Sequence, residues 1–205
     1  MEDLKRPGND KQVPAPGLAA PFATRLWQEA LKNVLAGTTT FAHHDPYHEI
    51  LDHPSLPIRI APCGWAHSPG LAGSYGPSLV QSWEESPPDR RWVVNLAVGV
   101  DVGAGTEIDA LVRANCLGCR TVAVHAVGLD ERARRRFLDH GGSAIWCPSS
   151  NLNMLGATLD PRSWDEPDES EAGRLGLGTD SRLTGSRDLL DELRVAAETG
   201  NLEPI

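Results

Sequence analysis

The sequence predicts an α/β fold in which parallel strands alternate with helices. Three observations carry that expectation. Short apolar runs, each ending in a polar cluster, stand at Thr121–Val127, Ser143–Cys147 and Leu175–Gly178. Runs of this kind are how strands of a parallel sheet read. Helix-compatible or turn-rich sequence follows each of them. Finally, 205 residues with 40% apolar and 23% charged composition suit one globular core or a minimal α/β barrel. Parallel α/β folds carry their chemistry at the carboxyl ends of the strands, where His125, Ser149–Asn151 and Asp180 would sit.

Residues 1–20 are rich in Pro, Gly, Lys and Asp without periodicity and are expected to form a flexible arm. The folded region is expected to span 21–200. Phe22, Leu26, Ala30, Leu31, Val34 and Leu35 recur at helical spacing, with Gly37 placed to end the helix. Thr38–Ala42 is β-branched and aromatic, a strand that closes on His43, His44 and His48. Pro57–Cys63 reads as a second strand, weakened by its prolines. Gly64–Pro88 is rich in Gly, Ser and Pro, with a weak helix around Ser78–Glu85. Trp92–Val98 is a buried strand. Thr106 is placed to cap a helix with Ile108, Leu111, Val112 and Cys116 on one side.

After the strand at Thr121, Asp130–His140 reads as a short helix with Ala133 and Phe137 inward. Its Arg132, Arg134, Arg135 and Arg136 form a solvated outer face near acidic neighbours. Ser143–Cys147 is a strand, and Asp160–Glu171 is an acidic surface loop. Leu175–Gly178 is the last strand. Ser186 is placed to cap a final helix with Leu189, Leu193 and Ala196–Ala197 facing the core. The count is about six strands.

The net charge of −9 argues against binding nucleic acid or an anionic membrane, since both need a basic face. No long apolar run marks a membrane span or a signal peptide, so the expected location is cytoplasmic. Cys116 and Cys119 form a C-x-x-C with no second pair to complete a zinc site. They read as small residues in the turn before a strand.

The succession T-V-A-V-H-A-V-G-L, W-C-P-S-S-N, L-G-L-G-T-D-S resembles the amidohydrolase superfamily, in its cytosine-deaminase and triazine-hydrolase-like branch. G-T-T-T-F-A-H-H-D-P resembles that family's second-strand region and W-V-V-N-L-A-V its fifth strand. The resemblance covers roughly Pro21–Ala197. It implies a TIM-type (β/α) barrel, here incomplete or minimal and without the family's flanking β-sandwich. It also implies a divalent metal, zinc or iron, that activates water for attack on C–N or C–halogen bonds of small cyclic compounds. By this resemblance His125 matches a metal ligand at the end of the sixth strand. Asp180 matches the aspartate after the eighth, a metal ligand and the catalytic proton shuttle. Ser150 and Asn151 match an element that lines the substrate pocket.

The family's first-strand H-x-H has no counterpart, and its fifth-strand H-x-x-E is replaced by Asn95 and Val98. Asn95 is a poor zinc ligand and becomes a pocket residue, while Val98 cannot move a proton. His43 and His48 are the substitutes on offer for the lost ligands. Two hypotheses follow. The chain is a metal-dependent hydrolase of reduced or lost activity, or a silent homologue that binds a small molecule or another subunit. Open edges of a shortened barrel favour self-association or pairing with a related full-length chain.

Overall fold

The computed structural model describes residues 20–43, 47–164 and 174–200. The expected N-terminal arm therefore lies, apart from its last residue, outside the described residues, as do His44 and most of the acidic loop. Helix α1 (Phe22–Leu35) is followed by β1 (Thr40–Ala42), β2 (Arg59–Ala61), β3 (Gly64–Ala66), α2 (Leu79–Glu85) and β4 (Trp92–Leu96). Then come α3 (Val102–Gly105), α4 (Glu107–Arg113), β5 (Thr121–His125), α5 (Glu131–Asp139), β6 (Ser143–Trp146), α6 (Pro148–Leu155), β7 (Leu175–Leu177) and α7 (Leu189–Gly200).

Every pairing is parallel. Strands β1 and β2 form one sheet, and β3–β4–β5–β6–β7 form a second in chain order. Only Pro62 and Cys63 separate β2 from β3, so the chain passes almost directly from one sheet to the other. Proline has no N–H to donate, which breaks the ladder there. The sequence reading took this stretch as one strand ending at Cys63 and missed β3. Among the described residues β1, β2, β3 and β7 each pair on one side only, so the barrel is not closed.

Trp92, Val94 and Leu96 point to one face of β4 and are fully buried with Ala123 of β5. They share a core with Ile108 and Leu111 of α4 and Phe137 of α5. Helix α5 thus buries the residues its periodicity selects. Its arginines pair outward, Arg135 with Glu131 at 2.6 Å and Arg136 with Asp109 at 2.8 Å. The expected surface loop after Asp160 begins instead with a 3-10 turn, Pro161–Trp164, whose Trp164 is buried edge-on against Phe137.

Three helix assignments change. Thr106 does not cap through its side chain, because α3 precedes it and its hydroxyl donates to the Gly103 carbonyl at 2.9 Å. Asp101 caps α3 instead, accepting from the Ala104 N–H. At α7, Asp188 accepts from the Asp191 N–H, while the Ser186 hydroxyl is engaged with Ser149. The inward face of α7 carries Glu192 and Ala196, both buried, whereas Leu189 and Leu193 are 40% and 47% exposed. Cys116 is buried with its thiol directed at the Leu79 and Ala114 carbonyls, and all four cysteines are free.

Candidate functional site

Strand β5 ends on His125, and the backbone there leaves the strand conformation abruptly. His125 and Ala126 have φ of 76° and 51°. Ala97 beside them and Asp180 beyond β7 both have φ of 52°. A left-handed conformation costs an L-residue about 1–2 kcal/mol, so neighbouring bonds must hold it. The Ala126 N–H donates to Leu96 O at 2.9 Å and Gly128 N–H to Ala97 O at 3.0 Å. The Ala97 N–H donates to the Glu107 carboxylate at 2.7 Å. Backbone strain of this kind concentrates where a fold positions functional groups.

The side chains that meet at this face come from three segments. Helix α6 starts directly after β6, with Pro148 at its first position and Gly156 ending it in a left-handed conformation. That places Ser150 and Asn151, both fully buried, side by side on its first turns. Asn151 Oδ1 lies 2.7 Å from His125 Nδ1, and Asn151 Nδ2 donates to Thr158 Oγ1 at 3.1 Å. Thr158 Oγ1 also accepts from Trp146 Nε1 at 2.7 Å. With its nitrogen committed to Thr158, Asn151 presents an acceptor to His125, so Nδ1 carries a proton.

The other ring nitrogen faces Asp180, whose Oδ2 lies 4.0 Å from His125 Nε2. Ser150 and Thr184 both donate their hydroxyls to the same Oδ2, at 2.5 Å and 3.2 Å. The histidine ring is buried, while the aspartate side chain is 21% exposed. Asp180 opens onto a cleft of about 540 Å³, which has Lys32, Asn33 and Thr38 on one side and Asp180, Arg182 and Ser186 on the other. The cleft lies between α1 and the segment joining β7 to α7.

Glu192, which the sequence reading passed over, braces this arrangement. It is fully buried, and its two oxygens accept from the Ser149 N–H at 2.9 Å and the Ser186 N–H at 3.3 Å. It thereby satisfies the N-terminus of α6 and ties that helix to the β7–α7 segment. The signal that could have found it is its position four residues before the buried Ala196. Cys147 sits beneath these carboxylates. Burial, followed by the negative charges of Asp180 and Glu192, pushes its thiol far up, which disfavours the thiolate.

The other expected site residues lie apart from this cluster. Asn95 is half-buried in register with Val124, one row away from the Leu96–His125 pair. His48 Nδ1 accepts from the Ile50 N–H at 3.2 Å, capping a 3-10 turn, and its ring meets Phe22 edge-on. His43 packs edge-on against Phe41. Among the described residues no three His, Cys, Asp or Glu side chains converge as a metal site.

No protein-family model matches the sequence, and no curated protein matches it. Solved structures do resemble it. An adenosine deaminase from Xanthomonas campestris with bound zinc aligns with a TM-score of 0.55 at 18% identity, over 89% of this chain and 45% of that one. An amidohydrolase from Brucella melitensis aligns at 0.54 and 15%, over 91% of this chain and 46% of that one. A 5-methylcytosine deaminase from Klebsiella pneumoniae, liganded with phosphonocytosine, aligns at 0.53 and 14%, over 91% and 61%.

The chain has the fold of part of an amidohydrolase barrel. It spans less than half the length of the first two of these structures. The likeness raises the question of a divalent metal, and the donor set answers it in part. His125 Nε2 and Asp180 Oδ2 face each other across 4.0 Å. A tetrahedral zinc with bonds of about 2.1 Å would set two donors roughly 3.4 Å apart and take a third protein ligand. The observed separation is 4.0 Å, and no third donor joins the pair among the described residues. By themselves the described residues do not fit a catalytic metal centre.

Proposed function

We propose that this chain derives from metal-dependent hydrolases acting on C–N or C–halogen bonds of small cyclic compounds, and that it is hydrolytically silent. On this reading it retains the strand-end site as a small-molecule binding site. One observation carries the reading. His125 and Asp180 are held in place by Asn151 and Ser150, while Asn95 on β4 and Val98 just after it stand where a ligand and a proton-transfer group would be needed. A valine moves no proton, and Asn95 stands in a different row from His125. Binding geometry is therefore kept where turnover chemistry is missing.

The test is ammonia release from aminopyrimidines and cyclic amides, and chloride release from chlorotriazines, with zinc or ferrous iron added. The expected result is no turnover above the Asp180→Ala protein. Turnover that depends on Asp180 would overturn the reading.

A second reading, a subunit role with a copy of this chain or a related full-length chain, is favoured by the edges. Strands β1 and β7 each pair on one side only, and the nearby helices leave Leu35 and Leu190 at 87% and 59% exposure. Exposed parallel edges flanked by apolar helices are surfaces that another chain can cover.

A further inference from the structure

Helix α7 keeps its leucines out of the core. Glu192 and Ala196 are buried, whereas Leu189, Leu190 and Leu193 are exposed. Leu193 follows Leu189 by four residues and Leu190 by three, so the three side chains adjoin on one helix face. A row of charges borders that strip. Arg194 follows Leu190 by four residues and so stands beside it, donating to Asp191 at 2.5 Å. Arg187 stands just before α7, yet its guanidinium reaches Asp191 at 2.9 Å. Glu198 lies four residues beyond Arg194 and is exposed. The row reads Arg187, Asp191, Arg194, Glu198, alternating in sign.

An alternating row of this kind is complementary to its own reverse. Where two α7 helices run antiparallel, Arg187 of one copy stands across from Glu198 of the other, and Arg194 across from Asp191. Both pairings share one midpoint, between Glu192 and Leu193. A single two-fold axis there satisfies all four pairs, and Leu190 and Leu193 of both copies meet beside it. Run parallel, arginine would face arginine. The charge balance points the same way. A chain of net charge −9 repels its copy over most of its surface, whereas this row carries two charges of each sign. A uniformly acidic or basic partner would meet two like charges in either orientation.

Resting on the subunit reading above, we propose that α7 is the contact face of a two-fold dimer of this chain, with the two helices antiparallel. The leucine strip supplies the affinity, because it loses apolar surface to water when the copies part. The charge row supplies the register, since exposed ion pairs select orientation more than they stabilise. Helix α7 has 12 residues and is about 18 Å long. Its contact alone falls short of the about 800 Å² per partner of a stable interface, so the dimer is a reversible one.

The experiment is sedimentation of the full chain from about 5 to about 500 μM, a range that spans weak to stable association. Three variants are run beside the wild type. Leu190→Ser/Leu193→Ser removes the apolar strip, Arg187→Glu/Arg194→Glu makes the row wholly acidic, and Asp191→Arg/Glu198→Arg makes it wholly basic. The expected result is a wild-type dimer that dissociates on dilution, with association about tenfold weaker or more in the serine variant. The acidic-row and basic-row proteins should each stay monomeric alone and form a one-to-one dimer when mixed, an exchange that a merely structural role for these residues would not produce.

A wild-type dimer that all three variants leave intact would overturn the assignment to α7, while the subunit reading would stand on the strand edges. A wild-type chain that stays monomeric throughout would overturn this inference together with the pairing of like copies beneath it. A mixture of the two charge variants that associates no better than either alone would refute the antiparallel row. If the basic-row protein fails to fold, the serine and acidic-row variants carry the test: wild-type association in both, with wild-type unfolding behaviour, would count against the proposal.

Discussion

Replacing Glu192 by Gln tests how the strand-end face is held together. The variant is isosteric, so no cavity forms. One of the two positions now occupied by oxygen becomes an NH2, which points a donor at either the Ser149 or the Ser186 N–H. A hydrogen bond to a charged group contributes about 1.5–3 kcal/mol. The charge at the α6 N-terminus adds about 0.3–1 kcal/mol. Relief from burying a carboxylate offsets part of this, since buried charge is itself expensive. The net expectation is a loss of about 2 kcal/mol. With a urea slope of about 2 kcal/mol/M, the unfolding midpoint falls by about 1 M. Because α6 carries the partners of both His125 and Asp180, the ring resonances of His125 should shift too. A midpoint within about 0.25 M of wild type, a difference of roughly 0.5 kcal/mol at that slope, together with unchanged His125 signals, would refute the bracing role.

Asn151→Ala removes the acceptor that fixes the His125 tautomer. The ring nitrogen shifts should then report a move away from the Nδ1–H form, with stability lower by about 1–3 kcal/mol. An unchanged tautomer would contradict the assigned network. Glu107 gives a pH signature. Burial pushes its carboxyl above the ordinary value of 4.5, the Ala97 N–H opposing this and Asp101 adding to it. The protonated form is therefore favoured in the folded state, and that contribution is lost as pH rises through the raised value. Glu107→Gln keeps an acceptor for Ala97 and should gain on wild type at pH 7, the advantage shrinking as pH falls to 4. An advantage that grows on acidification would contradict the assignment.

The strands were legible where their runs are rich in β-branched and apolar residues, as at Trp92–Leu96 and Thr121–His125. β3 was not, since Pro62 punctuates the run and three residues carry too little pattern. α6 was hidden by its composition. No helix was expected over Ser149, Ser150 and Asn151, although Pro148 and Gly156 bracket one in the expected positions. On α7 the leucines suggested the inward face, yet Glu192 is buried there, because a carboxylate that satisfies two backbone N–H groups can replace apolar packing. His125, Asp180, Ser150 and Asn151 were singled out by resemblance to a family motif, and the structure brings these four together. What periodicity cannot reveal is the tautomer of His125 or the 4.0 Å gap beside it, since both depend on the placement of α6.

The central claim is that the strand-end site no longer holds a catalytic metal. Metal content per chain tests it most directly, by elemental analysis of protein purified without chelators, beside His125→Ala and Asp180→Ala. The account predicts far less than one zinc, iron or manganese per chain in all three folded proteins. About one metal per wild-type chain, lost in both variants, would contradict it.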